Sequence, residues 1–208
     1  MPKNQLFQHS VLLLSGLAYF GLTPSWAGQE TNVPAVLKLS ERAFSAAARG
    51  DYQTAVSNWN RVLEIDPRNF AAYFGLATAA EATNDLGSAV SLFTRAGELN
   101  PASAQTFYSR AGVQRKMGRT ENAIQDYNRA IIIDPGFAAA YCQRGILKTE
   151  TRDYSGAITD FDSAIRIDAQ EPAAFAGRGT AHKERGDLDN KERVGSVNEI
   201  ARSRQDLK

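Results

Sequence analysis

Aromatic, small and apolar residues recur along the middle of the chain with a period of 34 residues. The stretch from 105 to 164 aligns with itself at that offset. The aligned pairs are Phe107 with Tyr141, Ala111 with Gly145, Ala123 with Ala157, Tyr127 with Phe161, and Ala130 with Ala164. The prolines at 67, 101 and 135 keep the same period. A fixed period of this length predicts an array of stacked, equivalent units.

Each period has the pattern helix, turn, helix. Apolar residues recur at helical spacing on both sides of a short break, such as Gly50-Asp51 or Gly118-Arg119. Glycine at such a break adopts the left-handed backbone conformation that ends a helix. The second helix ends before a proline, as at Asp66-Pro67, because proline lacks the amide hydrogen and disfavours helix in the preceding residue. The chain is therefore predicted to be all-α.

Large and small side chains alternate between the two helices of a unit. In the first helix an aromatic residue precedes a small one by four positions: Tyr73 with Ala77, Phe107 with Ala111, Tyr141 with Gly145, Phe175 with Gly179. In the second helix the order is reversed: Ala55 with Trp59, Ala89 with Phe93, Ala123 with Tyr127, Ala157 with Phe161. Small residues let two helices approach closely, and the rings fill the space between neighbouring pairs.

A charged pair also follows the period. Arginine at the seventh position of a unit is followed sixteen residues later by aspartate, as in Arg110 with Asp126 and Arg144 with Asp160. In the second unit both positions are leucine, Leu76 and Leu92. Because both members change together, we expect the two positions to touch. The preferred interpretation is a salt bridge within the unit, and the alternative is a ligand-binding arginine.

On these residues the chain resembles the tetratricopeptide repeat (TPR) proteins. Four units match, at 36–69, 70–103, 104–137 and 138–171, and a partial fifth unit with a C-terminal capping helix follows at 172–208. The resemblance implies a right-handed superhelical solenoid of antiparallel helix pairs. The last helix departs from the pattern, with Lys191 at the small crossing position and Gly195 at the aromatic one. Its mixed polarity is typical of a helix that closes an array against water.

Residues 1–27 are predicted to be a secretory signal peptide. Lys3 precedes an apolar run from Val11 to Leu22, and Ser25 and Ala27 place small residues before a cut at Gly28. The run is too short to span a bilayer comfortably. An uncleaved anchor or a buried helix is the alternative. Residues 28–35 then form a flexible leader, and we expect export by the general secretion route to the periplasm, with the thylakoid lumen or the medium as alternatives.

Composition gives no support to several classes of function. Without residues 1–27, which carry one lysine and no acid, the formal net charge is zero. A neutral chain has no electrostatic reason to bind nucleic acid or to stay on an anionic membrane after cleavage. The chain holds one cysteine, Cys142, and two histidines, His9 and His182. We therefore expect neither a disulfide within the chain nor a cysteine- or histidine-based metal site, and we predict no cofactor.

Cys142 and His182 are the only candidates for a nucleophile and its base, and nothing supplies an orienting third group. We predict that Cys142 is a small residue on the groove wall and that His182 is a buried histidine. We predict no catalytic residues. Cys142 has one alternative role, which is to bridge two chains in an oxidising compartment. The Gly177-Arg178-Gly179 sequence is predicted to be a helix-crossing site rather than a phosphate loop.

In the TPR solenoid that the resemblance implies, the first helices of the repeats line an inner groove. The residues predicted to contact a partner there are Phe44, Phe74, Thr78, Tyr108, Arg115, Cys142, Gln143, Ile146, Thr149 and Thr180. Some family members hold a peptide's terminal carboxylate with cations on this face. The corresponding positions here carry no lysine or arginine in either register. An extended peptide or a partner helix is the expected ligand.

The favoured hypothesis is a non-catalytic scaffold outside the cytoplasm that binds a peptide segment or a partner helix and supports the assembly or stability of an envelope or membrane complex. The alternative is a structural homo-oligomer that stacks through its terminal helices, because the first helix carries apolar residues with no earlier repeat to cover them. Those residues are Val36, Leu37, Leu39, Ala43 and Phe44. A third interpretation is an enzyme subunit that recruits a catalytic partner.

Overall fold

The computed structural model of the chain describes residues 33–186. The predicted signal peptide and capping helix lie outside the described residues. Within them the chain forms helices joined by short turns, with no strand. The helices are α1 Val33–Ala48, α2 Tyr52–Ile65, α3 Phe70–Ala82, α4 Leu86–Leu99, α5 Ala104–Lys116, α6 Thr120–Ile133, α7 Ala138–Glu150 and α8 Tyr154–Ile167. Residues 172–186 continue as α9. The predicted all-α fold of helix pairs is confirmed.

The turns have the backbone geometry that the sequence predicts. Positive φ angles occur at Gly50 (79°), Asn84 (64°), Gly118 (71°) and Arg152 (66°), one between the two helices of each complete unit. Asp51 then caps α2, since its carboxylate accepts a hydrogen bond from the amide of Thr54 at 3.0 Å. The first helix begins at Val33, so residues 33–35 of the predicted leader are helical.

The described residues divide into two compact units, 33–92 and 93–186, with the boundary inside α4. In the first, Trp59 of α2 is completely buried in a cluster with Leu39, Ala43 and Leu76. Its indole ring lies directly against Gly75 of α3, where a Cβ atom would overlap it. Gly75 therefore lets α3 approach α2 closely.

The second unit repeats this packing. Phe161 of α8 is completely buried, and a Cβ atom on Gly145 would lie 3.0 Å from its ring. A Cβ atom on Gly177 of α9 would overlap the same ring. The side chain of Phe161 thus occupies the space between the first helix of its own repeat and the first helix of the next repeat.

The predicted salt bridges are confirmed. Arg110 donates from Nε and Nη2 to the two carboxylate oxygens of Asp126, each at 2.7 Å. Arg144 binds Asp160 in the same bidentate way, and Lys148 adds a contact to that carboxylate at 2.9 Å. The two aspartates are 8% and 3% exposed, so both charges are almost fully withdrawn from water. In the second repeat, Leu92 packs against the cluster that contains Leu76.

Each of these arginines also binds the preceding repeat, which the sequence pattern did not predict. Arg110 Nη1 donates to Thr94 Oγ1 at 2.9 Å, and Arg144 Nη1 donates to Asn128 Oδ1 at 2.6 Å. In both cases the acceptor lies sixteen residues earlier, on the second helix of the previous repeat. The arginine side chain therefore joins three helices.

Replacing Arg110 or Asp126 alone by leucine should lower the free energy of unfolding by about 3–5 kcal/mol, because the partner charge stays buried without compensation. The double variant Arg110→Leu, Asp126→Leu copies the natural leucine pair of the second repeat. We expect it to recover most of that loss, as measured by urea denaturation. A double variant as unstable as the sum of the single ones would show that the two side chains are not coupled.

Candidate partner-binding site

The predicted groove residues lie on the first helices of their repeats and divide between the two compact units. Phe44, Phe74 and Thr78 belong to the first unit, on α1 and α3. The others belong to the second unit, on α5, α7 and α9: Tyr108, Arg115, Cys142, Gln143, Ile146, Thr149 and Thr180.

In the first unit the aromatic residues are half-buried and already contact other rings. The ring of Phe44 meets that of Trp59 edge to face, with centroids 4.7 Å apart. Phe74 lies 6.0 Å from Phe70 on the same helix. Thr78 donates its hydroxyl hydrogen to the carbonyl of Phe74 at 2.9 Å. These side chains are half-buried, and their contacts serve the packing within and between helices.

In the second unit Tyr108 is held between two rings, with centroids 5.6 Å from Tyr127 and 4.8 Å from Phe137. Such offset contacts fix the orientation of a half-buried ring. Tyr108 is therefore a rigid part of the face that α5 presents.

The clearest feature of this face is a polar bridge between α5 and α7. Arg115 Nη1 donates to Gln143 Oε1 at 2.9 Å, and Arg115 Nη2 contacts Glu150 Oε1 at 2.8 Å. Two predicted residues are thus brought together, and the first helices of consecutive repeats lie side by side. The Arg115 and Glu150 side chains are 36% and 49% exposed. A salt bridge this exposed contributes little stability, about 0–1 kcal/mol, so a ligand can exchange with it at small cost.

Sequence reasoning missed Glu150, which lies at the end of α7, 35 residues after its partner. No periodic pattern marks it, because the pairing depends on how far the two long side chains extend across the helix surface. The position of Arg115 on the first-helix face was the only available clue.

The two threonines of this face, Thr149 and Thr180, are weak hydrogen-bond donors to a ligand because their hydroxyl groups already donate within the chain. Thr149 donates to the Gly145 carbonyl at 3.0 Å, and Thr180 donates to the Ala176 carbonyl at 3.1 Å. Their hydroxyl oxygens keep acceptor capacity. Ile146 is half-buried against the core of the fourth repeat. This surface is mixed, with an apolar floor and a few polar groups at its edge.

Two predictions about single residues are wrong. Cys142 is 2% exposed and belongs to a core cluster with Phe161, Ala174 and Ala181, so it does not lie on a groove wall. Burial raises the pKa of its thiol to about 11, with a further contribution from the negative charge of Glu171. His182 is exposed rather than buried, and its Nδ1 lies 3.5 Å from Arg185 Nη2.

Two features are absent within residues 33–186. No group of three or more His, Cys, Asp or Glu side chains there is arranged to hold a metal ion. No helix in that range is long and apolar enough to cross a membrane.

Comparison with known families identifies the class. A family model described as "Tetratricopeptide repeat" matches residues 46–110, and one described as "TPR repeat" matches residues 112–151. The chain belongs to the tetratricopeptide repeat family. No curated protein matches it.

Solved structures share the fold. A tetratricopeptide repeat protein from Parabacteroides merdae ATCC 43184 is 25% identical, with a TM-score of 0.68, over 79% of this chain and 65% of that one. The protein MamA from Desulfovibrio magneticus RS-1 is 18% identical, with a TM-score of 0.68, over 85% and 98%. YrrB, described as a TPR protein with an unusual peptide-binding site, is 18% identical, with a TM-score of 0.63, over 73% and 78%.

The thiol of Cys142 should react slowly with a disulfide reagent at pH 8. Raising its pKa from 9.0 to about 11 lowers the thiolate fraction by roughly 100-fold, and burial slows access further. We expect full reaction only after unfolding in urea, as measured by absorbance of the released thiolate. Rapid reaction of the folded chain, or a dimer band on non-reducing gels that thiol reduction removes, would contradict this account.

Proposed function

We propose that the chain is an exported, non-catalytic scaffold that holds a peptide segment or a partner helix on the face formed by its first helices, in support of the assembly or stability of an envelope or membrane complex. The observation that carries the proposal is the Arg115 bridge to Gln143 and Glu150, which displays exchangeable polar groups between two adjacent first helices.

The chemistry of the face suits a polypeptide ligand. Tyr108 and Ile146 offer partly exposed apolar surface in fixed positions. Arg115 can donate to a backbone carbonyl or to a carboxylate that replaces Glu150. Rigid rings beside a few well-placed polar groups are typical of surfaces that bind peptides. The peptide-binding site described for YrrB shows that this fold is used for such binding in at least one other protein.

The non-catalytic part of the proposal rests on the family, whose repeats generally act as interaction modules. The exported part rests on residues 1–27, with their apolar run and small residues before Gly28. Burial of Cys142 suits an oxidising compartment, because a shielded, protonated thiol does not cross-link chains.

The homo-oligomer alternative depends on apolar residues of α1 that an earlier repeat would have covered. Leu39 and Ala43 are buried within their own repeat, and Val36 and Phe44 pack against its core. Leu37, at 51% exposed, is the member of that set that remains at the surface. Self-association stays a prediction, but it has less apolar surface on α1 to support it than the sequence suggested.

Site-specific photocrosslinking in the native cells tests the proposed face. A benzophenone amino acid at Gln143 should capture a partner protein, and the same residue at Ile132, which is 78% exposed on α6, should not. Adding Arg115→Ala to the Gln143 variant should lower the yield about fivefold or more, because the face loses its main donor. The adducts are identified by mass spectrometry.

Equal adducts from positions 143 and 132, or a yield that Arg115→Ala leaves unchanged, would place binding elsewhere on the molecule. Circular dichroism spectra of each variant serve as the folding control.

A further inference from the structure

An arginine stands at the seventh position of four of the five repeats: Arg42, Arg110, Arg144 and Arg178. Within the second compact unit each of these arginines binds the second helix of the preceding repeat. The acceptors are Thr94 for Arg110, Asn128 for Arg144 and Asp162 for Arg178. The arginine therefore marks the face on which a preceding helix docks.

Arg42 occupies this position on α1 and is exposed. The residue sixteen positions later, which is aspartate in the third and fourth repeats, is Asn58. Asparagine supplies no negative charge. Among the described residues the side chain of Arg42 makes no hydrogen bond or ion pair.

Around Arg42 lies an open depression of about 470 Å³ between α1 and α2. It is lined by Glu41, Arg42, Ser45, Arg49, Thr54 and Asn58. Arg49 is held in place by a hydrogen bond from its Nη1 to Ser45 Oγ at 2.6 Å. Asp51, which accepts a hydrogen bond from the amide of Thr54, interacts electrostatically with Arg49. Arg42 has no such acidic partner, which favours a negatively charged group opposite it.

We propose that this end face of the first repeat binds an acidic helix of a partner protein, with an aspartate or glutamate opposite Arg42. The template is the contact between α8 and α9, in which Asp162 Oδ1 accepts a hydrogen bond from Arg178 Nη1 at 2.7 Å. A carboxylate at the same place on a partner helix supplies the charge that Asn58 lacks. This surface is formed by α1 and α2, so the proposal is independent of the groove.

The sequence that precedes α1 lacks the pattern of a second helix. When the 34-residue period is extended backwards, residues 21–35 align with the second helix of a repeat. They then place Gly21 where α2 has Ala55, and Ser25 where α2 has Trp59. Pro24 lies inside the same stretch, and residues 33–35 already belong to α1. In a second copy, the helix that presents Asp162 is engaged by Arg178 of its own chain.

The probe is a fluorescent, end-capped peptide with the sequence of residues 153–170, which form α8 and its flanks and carry Asp162. We expect saturable binding to the full chain in fluorescence anisotropy. Arg42→Gln in the protein should weaken binding about two- to fivefold, as expected for an exposed ion pair, and Asp162→Asn in the peptide should do the same. The two changes together should weaken binding little more than either alone, because they remove the same contact.

Two further variants sharpen the test. Asn58→Asp supplies the carboxylate that the third and fourth repeats have. It should therefore raise the urea midpoint of the protein and weaken the binding of the peptide. Arg61→Gln removes an exposed arginine of α2 outside the depression and should leave the affinity unchanged.

No saturable binding up to about 1 mM peptide would overturn the proposal, as would equal effects of Arg42→Gln and Arg61→Gln. An oligomer of the chain alone that dissociates on Arg42→Gln, detected by light scattering, would also overturn it, since the occupant would then be a second copy.

Discussion

The packing of one aromatic ring against glycines of two first helices is the interaction on which the rest of the structure depends. Phe161 touches Gly145 in its own repeat and Gly177 in the next. Trp59 makes the equivalent contact with Gly75. Because these rings are completely buried, neither can move aside for a larger residue. The ring fixes the distance between consecutive first helices, and those helices form the proposed binding face.

The packing of Trp59 against Gly75 leaves the indole N–H of Trp59 without a hydrogen bond. The indole nitrogen of Trp59 is buried and has no acceptor among the described residues. An unmade hydrogen bond costs about 1–3 kcal/mol. The close approach at Gly75 must outweigh that cost, since α3 lies directly against the indole ring.

The arginine contacts form a second layer that sets orientation more than stability. Buried ion pairs contribute little net stability compared with well-packed apolar residues. The second repeat has Leu76 and Leu92 in place of the charged pair. Where arginine is present, its donors fix the angle among three helices. Arg42 has no such helix to bind among the described residues.

Much of the fold could be predicted from the sequence because the repeat presents each contact several times. The helix pairs, the turns at Gly50 and Gly118 and the Arg110–Asp126 bridge all follow from comparing one repeat with the next. Contacts made by long side chains were harder to predict. Thr94 and Asn128 accept the same kind of bond but differ in type, so no pattern marks them.

The candidate site was less predictable than the fold. The predicted residues lie on first helices, and Arg115 contacts Gln143. That these residues bind a partner stays a prediction. Exposure of single residues depends on the neighbouring helix, which repeat position alone does not specify. Residues of α9 cover Cys142, whereas the ring of His182 remains at the surface of that helix.

Amide hydrogen exchange on a Phe161→Leu variant tests the central claim most directly. If this ring holds two first helices at once, protection should fall in both α7 and α9, while α5 keeps its parent exchange rates. A loss of protection confined to α8, the helix that carries the substitution, would contradict the claim that the ring sets the spacing of the array.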